Sequence, residues 1–208
     1  MPSLRAVLLG PPGAGKGTQG RRIESTFEIE HISTGDILRA NKDIETAHGT
    51  PREYMEAGEL VPDPVMEEVV EEALSGRESF VLDGYPRTLA QAEHLDRVAR
   101  PELIVHLVVD RSELIDRLAG RRVDPATGEN YHIEFDLPDD EEIRERLIQR
   151  EDDTPEKIEH RLDIYESETA PVVDHYEGQP GYEQIEGEGS PEDVFDRIEL
   201  AIRDRADN

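Results

Sequence analysis

Cysteine is absent from this chain of 208 residues, and long apolar segments are absent as well. Without cysteine, the chain has neither a disulfide framework nor a thiolate metal site. The longest apolar run, 103–109 with His106 inside it, has the length of a strand, and the apolar run near the N-terminus is too short for a signal peptide or a membrane span. We therefore expect a cytoplasmic protein that does not associate with membranes.

Lysine is nearly missing: Lys16, Lys42 and Lys157 are the only three among 23 basic residues, whereas the chain has 50 acidic residues. The formal net charge is −27, and the acidic residues are spread along the chain. So strong a negative field disfavours binding to nucleic acid or to anionic membranes, and it also repels free phosphates. A protein of this composition that handles phosphorylated molecules must gather a few cations inside a cleft.

Short apolar runs alternate with helical patterns along most of the chain. Strands are predicted at 4–9, 79–82, 103–109 and 182–185. Helices are predicted to begin at residues that commonly cap them, namely Ser33, Asp63, Thr88, Ser112, Thr154 and Ser190. This alternation predicts an α/β fold with a parallel sheet covered on both faces. Two stretches interrupt it: a small helical insert at 33–61 and a lobe with a hairpin at 120–153.

A glycine-rich segment, GPPGAGKGT at 10–18, follows the first strand and opens a helix. In such a loop, backbone N–H groups turn toward phosphates, and the helix N-terminus adds the positive end of its dipole. Lys16 is placed to reach the outer phosphates. The segment departs from the general P-loop pattern because Gly17, and not Ser or Thr, follows the lysine. The candidate phosphate-binding residues are Gly13, Ala14, Gly15, Lys16, Gly17 and Thr18.

This departure resembles the loop of the nucleotide kinases, and further blocks resemble the adenylate kinase family. These blocks are ISTGDILR at 32–39, DGYPRT at 83–88, and GRR at 120–122 with EDD at 151–153, which flank a segment similar to that family's lid. The resemblance covers essentially the whole chain, with all blocks in family order. It implies a three-layer P-loop kinase fold with a central parallel sheet. The core would comprise 1–32, 62–119 and 154–208, with an AMP-binding insert at 33–61 and a lid at 120–153.

The resemblance also implies a reaction, MgATP + AMP ⇌ 2 ADP, and a role for individual residues. Most of the catalytic residues that it implies are arginines, whose planar guanidinium groups can donate two parallel hydrogen bonds to two oxygens of one phosphate. The catalytic cations would be Lys16, Arg87, Arg121, Arg150 and Arg161. The ATP contacts would be the loop at 13–18 together with Arg117, Arg121 and Tyr131. The AMP contacts would be Thr34, Arg39, Glu59, Leu60, Val61, Gly84, Tyr85, Pro86, Arg87, Gln91, Arg150 and Arg161.

For the metal, the resemblance implies that Asp83 holds Mg²⁺ through water, and that zinc, which some relatives bind in the lid through cysteines, is absent. It also implies a cis peptide bond at Tyr85-Pro86 and a monomer whose partners are ATP, AMP and ADP. Where many family members have lysine, this chain has Glu59, so only backbone contacts to AMP are expected there.

Several of these residues keep a purely structural alternative. Gln91 is either a reader of the AMP base or the far end of a capping box with Thr88. Asp36 either supports the metal network or caps its helix. Arg117 and Arg121, four residues apart, either bind ATP or only pair with carboxylates and the helix C-terminus. His132 is more simply explained as a structural residue of the lid.

Two other functions remain open at this stage. The acceptor could be UMP or CMP, although Thr34 and Gln91 favour AMP. A P-loop protein that holds nucleotide without turning it over would not need the second cluster of arginines. The scarcity of lysine and the net charge of −27 additionally indicate a host with a salty cytoplasm.

Overall fold

The computed structural model describes residues 4–206, and a five-stranded parallel sheet lies at its centre. The strands follow one another across the sheet in the order β2-β3-β1-β4-β7. Their bounds are β1 Arg5–Leu9, β2 His31–Ser33, β3 Phe80–Asp83, β4 Leu103–Val108 and β7 Tyr182–Glu186. The predicted strands at 4–9, 79–82, 103–109 and 182–185 are confirmed to within one residue at each end.

The sheet is buried on both faces because nearly every position of its central strands is apolar. In β1, Ala6 and Leu8 belong to one apolar cluster, whereas Val7 and Leu9 belong to a second cluster on the other face. This division follows from the alternation of side chains along a strand. Helices cover both clusters, which gives the three layers predicted from the sequence.

The described residues contain ten α-helices, which cover the two faces of the sheet or lie in the segments at 33–61 and 120–153. Their bounds are α1 Lys16–Phe27, α2 Thr34–Ala40, α3 Pro51–Ala57, α4 Asp63–Leu74, α5 Leu89–Val98, α6 Arg111–Gly120, α7 Glu141–Arg146, α8 Pro155–Ile164, α9 Ala170–Tyr176 and α10 Pro191–Ala206. A π-helical turn, Tyr165–Thr169, joins α8 to α9. The first cluster packs under α1, α6, α8 and α10, and the second under α2, α4, α5 and α9.

The stretch at 120–153 carries its own small sheet, separate from the central one. Strands β5 (Arg121–Val123) and β6 (Asn130–His132) pair antiparallel, as the predicted hairpin requires. Helix α7 follows them and was not predicted, because its six residues include only one apolar side chain. The stretch at 33–61 contains α2 and α3.

Two predicted helix starts lie one residue from the observed ones. Helix α6 begins at Arg111 after Asp110, and not at Ser112. Helix α4 has Pro62 at its cap position, and Asp63 is already helical, with its carboxylate turned to other partners. The predicted cap at Ser33 is confirmed, since its hydroxyl accepts a hydrogen bond from the Asp36 N–H at 3.3 Å.

The Tyr85-Pro86 peptide bond is cis, as predicted. In the described part of the chain, none of the helices combines the length and the apolar character that crossing a bilayer requires. Residues 1–3 and 207–208, which the sequence assigns to the core, lie outside the described residues.

Candidate active site

The glycine-rich loop leaves β1 and turns directly into α1. Gly13 and Gly15 have φ angles of 87° and 93°, in the region that favours glycine, and α1 begins at Lys16. The ammonium of Lys16 folds back over the loop and donates to the carbonyl oxygens of Gly10 and Pro11, at 2.8 and 2.9 Å. The loop therefore encloses the lysine at the N-terminal end of a helix, where an anion is favoured.

A cleft of about 1000 Å³ opens above this loop and brings together nearly all the residues predicted from the sequence. Only Thr34 among them does not line the cleft. Its side chain is fully buried, and its hydroxyl donates to the carbonyl oxygen of Asp83 at 3.1 Å. The predicted residues that line the cleft are Gly13, Ala14, Gly15, Lys16, Gly17, Thr18, Arg39, Glu59, Leu60, Val61, Asp83, Gly84, Tyr85, Pro86, Arg87, Gln91, Arg117, Arg121, Tyr131, Arg150 and Arg161.

Positive charge accumulates in this cleft although the chain carries a net charge of −27. Burial lowers the pKa of Lys16 to about 8, and although the Asp83 carboxylate opposes this shift, the guanidinium groups of Arg87, Arg161 and Arg121 add to it. Burial also lowers the pKa of Arg150, and the charges of Arg121 and Arg39 lower it further. Cations that repel one another in this way form a site that an anion would stabilise.

Two adjacent carboxylates hold part of this cluster in place. Asp153 is fully buried and accepts from Arg121 at 2.5 and 2.8 Å and from Arg161 at 3.2 Å. Asp152 lies 2.9 Å from Arg161. Because carboxylates accept two parallel bonds from a guanidinium, the Arg121 side chain is fixed in both position and plane.

Two other cleft arginines have different partners. Arg150 donates to the side-chain oxygen of Asn130 at 2.8 Å, a contact between the strand β6 and the residues after α7. Arg39 donates to Asp36 at 2.5 Å. The Asp36 carboxylate thus pairs with an arginine of its own helix, which is a structural role other than the predicted cap, and its metal role stays a prediction.

Asp83 ends the buried strand β3 beside the loop. Burial acts to raise the pKa of this carboxyl, but the His31 ring and the Lys16 ammonium outweigh burial and lower it, so the group is ionised. A Cβ atom placed on Gly17 would lie 3.5 Å from Asp83 Oδ2, and Nε2 of His31 lies 3.8 Å from the same oxygen. A carboxylate is therefore held next to the start of α1.

Gln91 makes only half of the predicted capping box. Its backbone N–H donates to the Thr88 hydroxyl at 3.2 Å, but its side-chain oxygen accepts from the backbone N–H of Arg87 at 2.8 Å. Its amide nitrogen donates to Asp63 at 2.7 Å. Both ends of the amide are thus anchored where Gln91 lines the cleft.

The other end of the cleft is formed by α6 and the β5–β6 hairpin. Arg117 pairs with Glu113 and also donates to the carbonyl oxygen of Gly187 at 2.9 Å. The ring of His132 stacks on Phe135, with centroids 4.6 Å apart, and packs so closely on Gly120 that a Cβ there would lie 2.1 Å from it. This packing fits a structural role for His132.

The sequence interpretation missed two groups of residues. One is the segment between β7 and α10, which contributes Gly187, Gly189, Ser190 and Pro191 to the cleft. The other is the set of acids behind the wall, Asp63 and Asp153. A signal for the first was available, because Gly187 and Gly189 follow the last predicted strand as glycines follow the first. The sequence marks both acids for other reasons, Asp63 as a helix start and Asp153 within the EDD block, but it does not reveal their partners, which come from elsewhere in the chain.

A parallel α/β sheet, a glycine-rich loop at the start of a helix and a cleft of converging cations define the class of P-loop phosphotransferases. The profile of the adenylate kinase family matches residues 8–180. The chain belongs to the adenylate kinase family.

Individual adenylate kinases are similar to this chain over nearly their full length. An adenylate kinase of Natronomonas pharaonis is 55% identical over 204 residues, which cover 98% of this chain and 99% of the relative. An adenylate kinase of Haloarcula marismortui is 48% identical, with 97% and 98% covered. An adenylate kinase of Halobacterium salinarum is 44% identical, with 96% of each chain covered. These three organisms are halophilic archaea.

Proposed function

We propose that this protein catalyses reversible phosphoryl transfer between MgATP and AMP, giving two ADP. The observation that carries the proposal is the gathering of Lys16 and the cleft arginines in one cavity of an otherwise strongly acidic chain. Transfer between two nucleotides brings two polyphosphate groups together, and their charge requires such a cluster. Catalysis then consists mainly of positioning and of stabilising charge on the transferred group.

On the donor side, the backbone of the loop at 13–18 would hold the ATP phosphates, with Lys16 on the outer ones. Arg121 would bind the transferred group from the opposite side, held in its plane by Asp153. Arg117 fixes the Gly187 carbonyl and would lie with Tyr131 against the base and ribose of ATP. This assignment adds the segment from Gly187 to Pro191 to the ATP contacts predicted from the sequence.

On the acceptor side, Arg39, Arg87 and Arg150 would bind the AMP phosphate, and Arg161 would lie between the two nucleotides. The backbone of 59–61 and of 84–86 would line the base pocket, and Gln91 would bind the adenine edge. Thr34 supports this wall from behind through its bond to the Asp83 carbonyl. All these groups except Thr34 face one cavity, which is the support for placing both nucleotides there.

Magnesium fits the carboxylate at Asp83. Within residues 4–206, no cluster of three or more acidic or histidine residues is arranged to hold a metal ion. Mg²⁺ does not need one, because it is typically bound by one or two carboxylates together with phosphate oxygens and waters. Asp83 is ionised, and the absence of a side chain at Gly17 leaves the space beside it open. Bound Mg²⁺ would neutralise phosphate charge, and Asp83 would orient its waters.

We further propose that the segments 33–61 and 120–153 act as the AMP-binding insert and the lid, and that the remaining described residues form the core. Closure of the two segments over the nucleotides would exclude water, so that ATP transfers its phosphoryl group to AMP and is not hydrolysed. A monomeric cytoplasmic enzyme without zinc completes the proposal, on the grounds of composition and the family resemblance.

A coupled assay of ADP formation tests the function. We expect ADP from ATP and AMP only when Mg²⁺ is present, with UMP, CMP and GMP far less active as acceptors. Preference for UMP or CMP would replace AMP as the acceptor and keep the enzyme class. Nucleotide binding without turnover of any acceptor would overturn the proposal in favour of a binding protein.

A further inference from the structure

A closed ring of hydrogen bonds surrounds the side chain of Gln91. Asp63 accepts from the amide nitrogen of Gln91 at 2.7 Å and from the Thr88 hydroxyl at 3.2 Å. That hydroxyl in turn accepts from the backbone N–H of Gln91 at 3.2 Å. Outside this ring, the Gln91 side-chain oxygen accepts a further bond from the backbone N–H of Arg87 at 2.8 Å. Three separate elements, α4, α5 and the loop before α5, therefore meet at one amide.

The two partners of this amide fix its orientation. An ionised carboxylate can only accept a hydrogen bond, and a backbone N–H can only donate one. If the amide were rotated by half a turn, its oxygen would face the Asp63 carboxylate and its NH₂ group would face the Arg87 N–H. Both contacts would then be repulsive. The hydrogen-bond partners therefore determine which end of the amide is the oxygen, although the two ends have nearly the same shape.

Each end of the amide keeps capacity for one more bond. The oxygen has a second lone pair, and the nitrogen has a second hydrogen. Adenine offers the matching edge, because its 6-amino group donates and its N1 accepts. Hypoxanthine has the same shape but the opposite pattern, with a 6-oxo acceptor and an N1–H donor. Binding hypoxanthine through Gln91 would require the rotated amide that Asp63 opposes.

We propose that Asp63 is a positioning residue that sets the selectivity of the acceptor site for a 6-amino purine over a 6-oxo purine. This rests on the proposed function, in which Gln91 binds the base of the acceptor nucleotide. Asp63 acts through Gln91, and the energetic basis is the cost of placing two acceptors or two donors against each other in a buried site. Gln91 is only 2% exposed, so water cannot relieve such a mismatch.

Asp63 also has a simpler possible role, since a carboxylate in the first turn of α4 favours the helix. The two roles predict different results. A helix role predicts lower stability without any change in base selectivity. A positioning role predicts a change in selectivity whatever the effect on stability.

The variant Asp63→Asn separates them, because asparagine has the same shape and can present either an oxygen or an NH₂ group to Gln91. We would measure kcat/KM for AMP and for IMP at saturating MgATP. The ratio of AMP to IMP should fall on the order of ten-fold, which corresponds to one hydrogen bond to a charged group. It should not vanish, because the Arg87 N–H still favours the native orientation. The KM for ATP should stay unchanged.

Two comparisons control the experiment. Glu68→Gln removes one negative charge from the exposed side of the same helix and should leave the ratio unchanged. In a Gln91→Ala background, Asp63→Asn should have no further effect on the ratio, because the amide through which it acts is gone. Equilibrium titration with AMP and with IMP gives the same ratio for any variant that is folded but slow, and circular dichroism reports whether each variant is folded.

An unchanged ratio in Asp63→Asn, with or without a lower melting temperature, overturns the inference and leaves the proposed function intact. The inference is also overturned if Asp63→Asn lowers the AMP-to-IMP ratio as much in the Gln91→Ala background as in the unmodified protein, since Asp63 would then act by another route. If the unmodified protein does not phosphorylate AMP at all, the proposed function fails, and the inference fails with it.

Discussion

Arg121 and Asp153 form a bidentate ion pair whose carboxylate is completely buried, with N–O distances of 2.5 and 2.8 Å. The same carboxylate accepts from Arg161 at 3.2 Å. One buried negative charge thus holds two guanidinium groups that would otherwise repel each other. The site that binds nucleotide anions is therefore assembled around an internal anion before any nucleotide arrives.

Replacing this carboxylate should cost both stability and activity. In Asp153→Asn, Arg121 and Arg161 keep their charges but lose their shared partner, and we expect the free energy of unfolding to fall by about 3 kcal/mol. Turnover should fall as well, because Arg121 loses its fixed plane. Urea unfolding and the ADP assay measure the two effects.

The neighbouring Asp152→Asn is the matched control for this variant. Asp152 is partly exposed and forms one ion pair, with Arg161 at 2.9 Å, without a bidentate bond to Arg121, so Asp152→Asn should lower the stability clearly less. Equal losses for the two variants would contradict the importance of the buried pair.

Removal of the loop lysine should abolish transfer while the fold persists. In Lys16→Ala, we expect turnover to fall at least about 100-fold, because the charge that stabilises the outer phosphates is gone. Circular dichroism should show an intact fold, with a melting temperature lowered by only a few degrees, because the carbonyl oxygens of Gly10 and Pro11 lose a donor while the repulsion from the neighbouring arginines is relieved. Lys42→Ala, outside the cleft, is the control. Near-normal turnover in Lys16→Ala would show that the loop was assigned wrongly.

The affinity for ATP should depend on pH through the same lysine. Burial lowers the pKa of Lys16 to about 8 in the free protein, whereas bound phosphates favour its charged form. Above pH 8, binding must then be accompanied by uptake of a proton, so the affinity should be flat from pH 7 to 8 and fall toward pH 9.5. The stability of the free protein should depend on pH with the opposite sign. Between about pH 8 and 10.5 only the unfolded chain keeps this proton, so the contribution of Lys16 to the free energy of unfolding rises with pH.

Lys16→Arg provides the control for this pH dependence, because arginine stays protonated throughout the range. Titration calorimetry at several pH values should give a flat profile for this variant, even if its affinity is lower. A flat profile for the unmodified protein would contradict the lowered pKa.

The sequence was most informative where one short segment contains the whole signal. The loop at 10–18 and four strands of the central sheet carry their pattern in consecutive residues and lie where the sequence placed them, whereas the three-residue strand β2 was not predicted. The predicted arginines were found through motifs and the family resemblance, and all of them line one cavity, to which Arg21 and Arg22 also contribute. Their roles toward the nucleotides stay predictions.

What the sequence did not reveal depends on contacts between distant residues. Asp63 reads locally as a helix cap, yet its partner Gln91 is 28 positions away. Asp153 ends the EDD block, which does not reveal its partner Arg121, 32 positions earlier. Full burial distinguishes Asp153 from most other acids, and its hydrogen-bond partners distinguish Asp63; both are properties of the folded chain that composition does not contain.

A second buried carboxylate holds the segment at 120–153 together. Asp124 is fully buried and accepts from Arg146 at 2.6 and 2.7 Å, from the Ala126 N–H at 3.0 Å and from the Thr127 hydroxyl at 3.1 Å. The bond from Arg146 holds the pKa of Asp124 well below its usual range. This one group links the hairpin turn to α7.

Asp124→Asn should therefore loosen this segment at neutral pH. We expect faster limited proteolysis within 120–153 and a lower melting temperature than for Asp139→Asn, an exposed control with the same change of charge. Because the folded-state pKa is depressed, the stabilisation is present above about pH 4 and is lost as pH falls further, so the difference between the variants should shrink there. Equal proteolysis of the two variants at pH 7 would contradict this role.

Salt should stabilise the fold up to molar concentrations. At a net charge of −27, the compact state suffers repulsion that the unfolded chain relieves by expanding. The screening length falls from roughly 30 Å at 0.01 M salt to about 3 Å at 1 M. Screening also weakens surface ion pairs such as that of Arg111 with Glu159 and Asp163, but the acidic residues without a basic counterpart far outnumber such pairs. The net effect should therefore be stabilising.

The range over which salt acts separates simple screening from adaptation to brine. Screening alone should saturate once the screening length is shorter than the spacing of the charges, near 0.5 M. Adaptation should continue into the molar range, where excluded salts also strengthen burial of a small core. The similarity to adenylate kinases of three halophilic archaea favours the second outcome. Thermal melts from low salt to several molar KCl, repeated with sucrose to separate exclusion from screening, should show a melting temperature that keeps rising. A melting temperature that is flat, or that falls above about 0.5 M where screening is already short-ranged, would instead indicate an ordinary acidic protein from a cell of low salt.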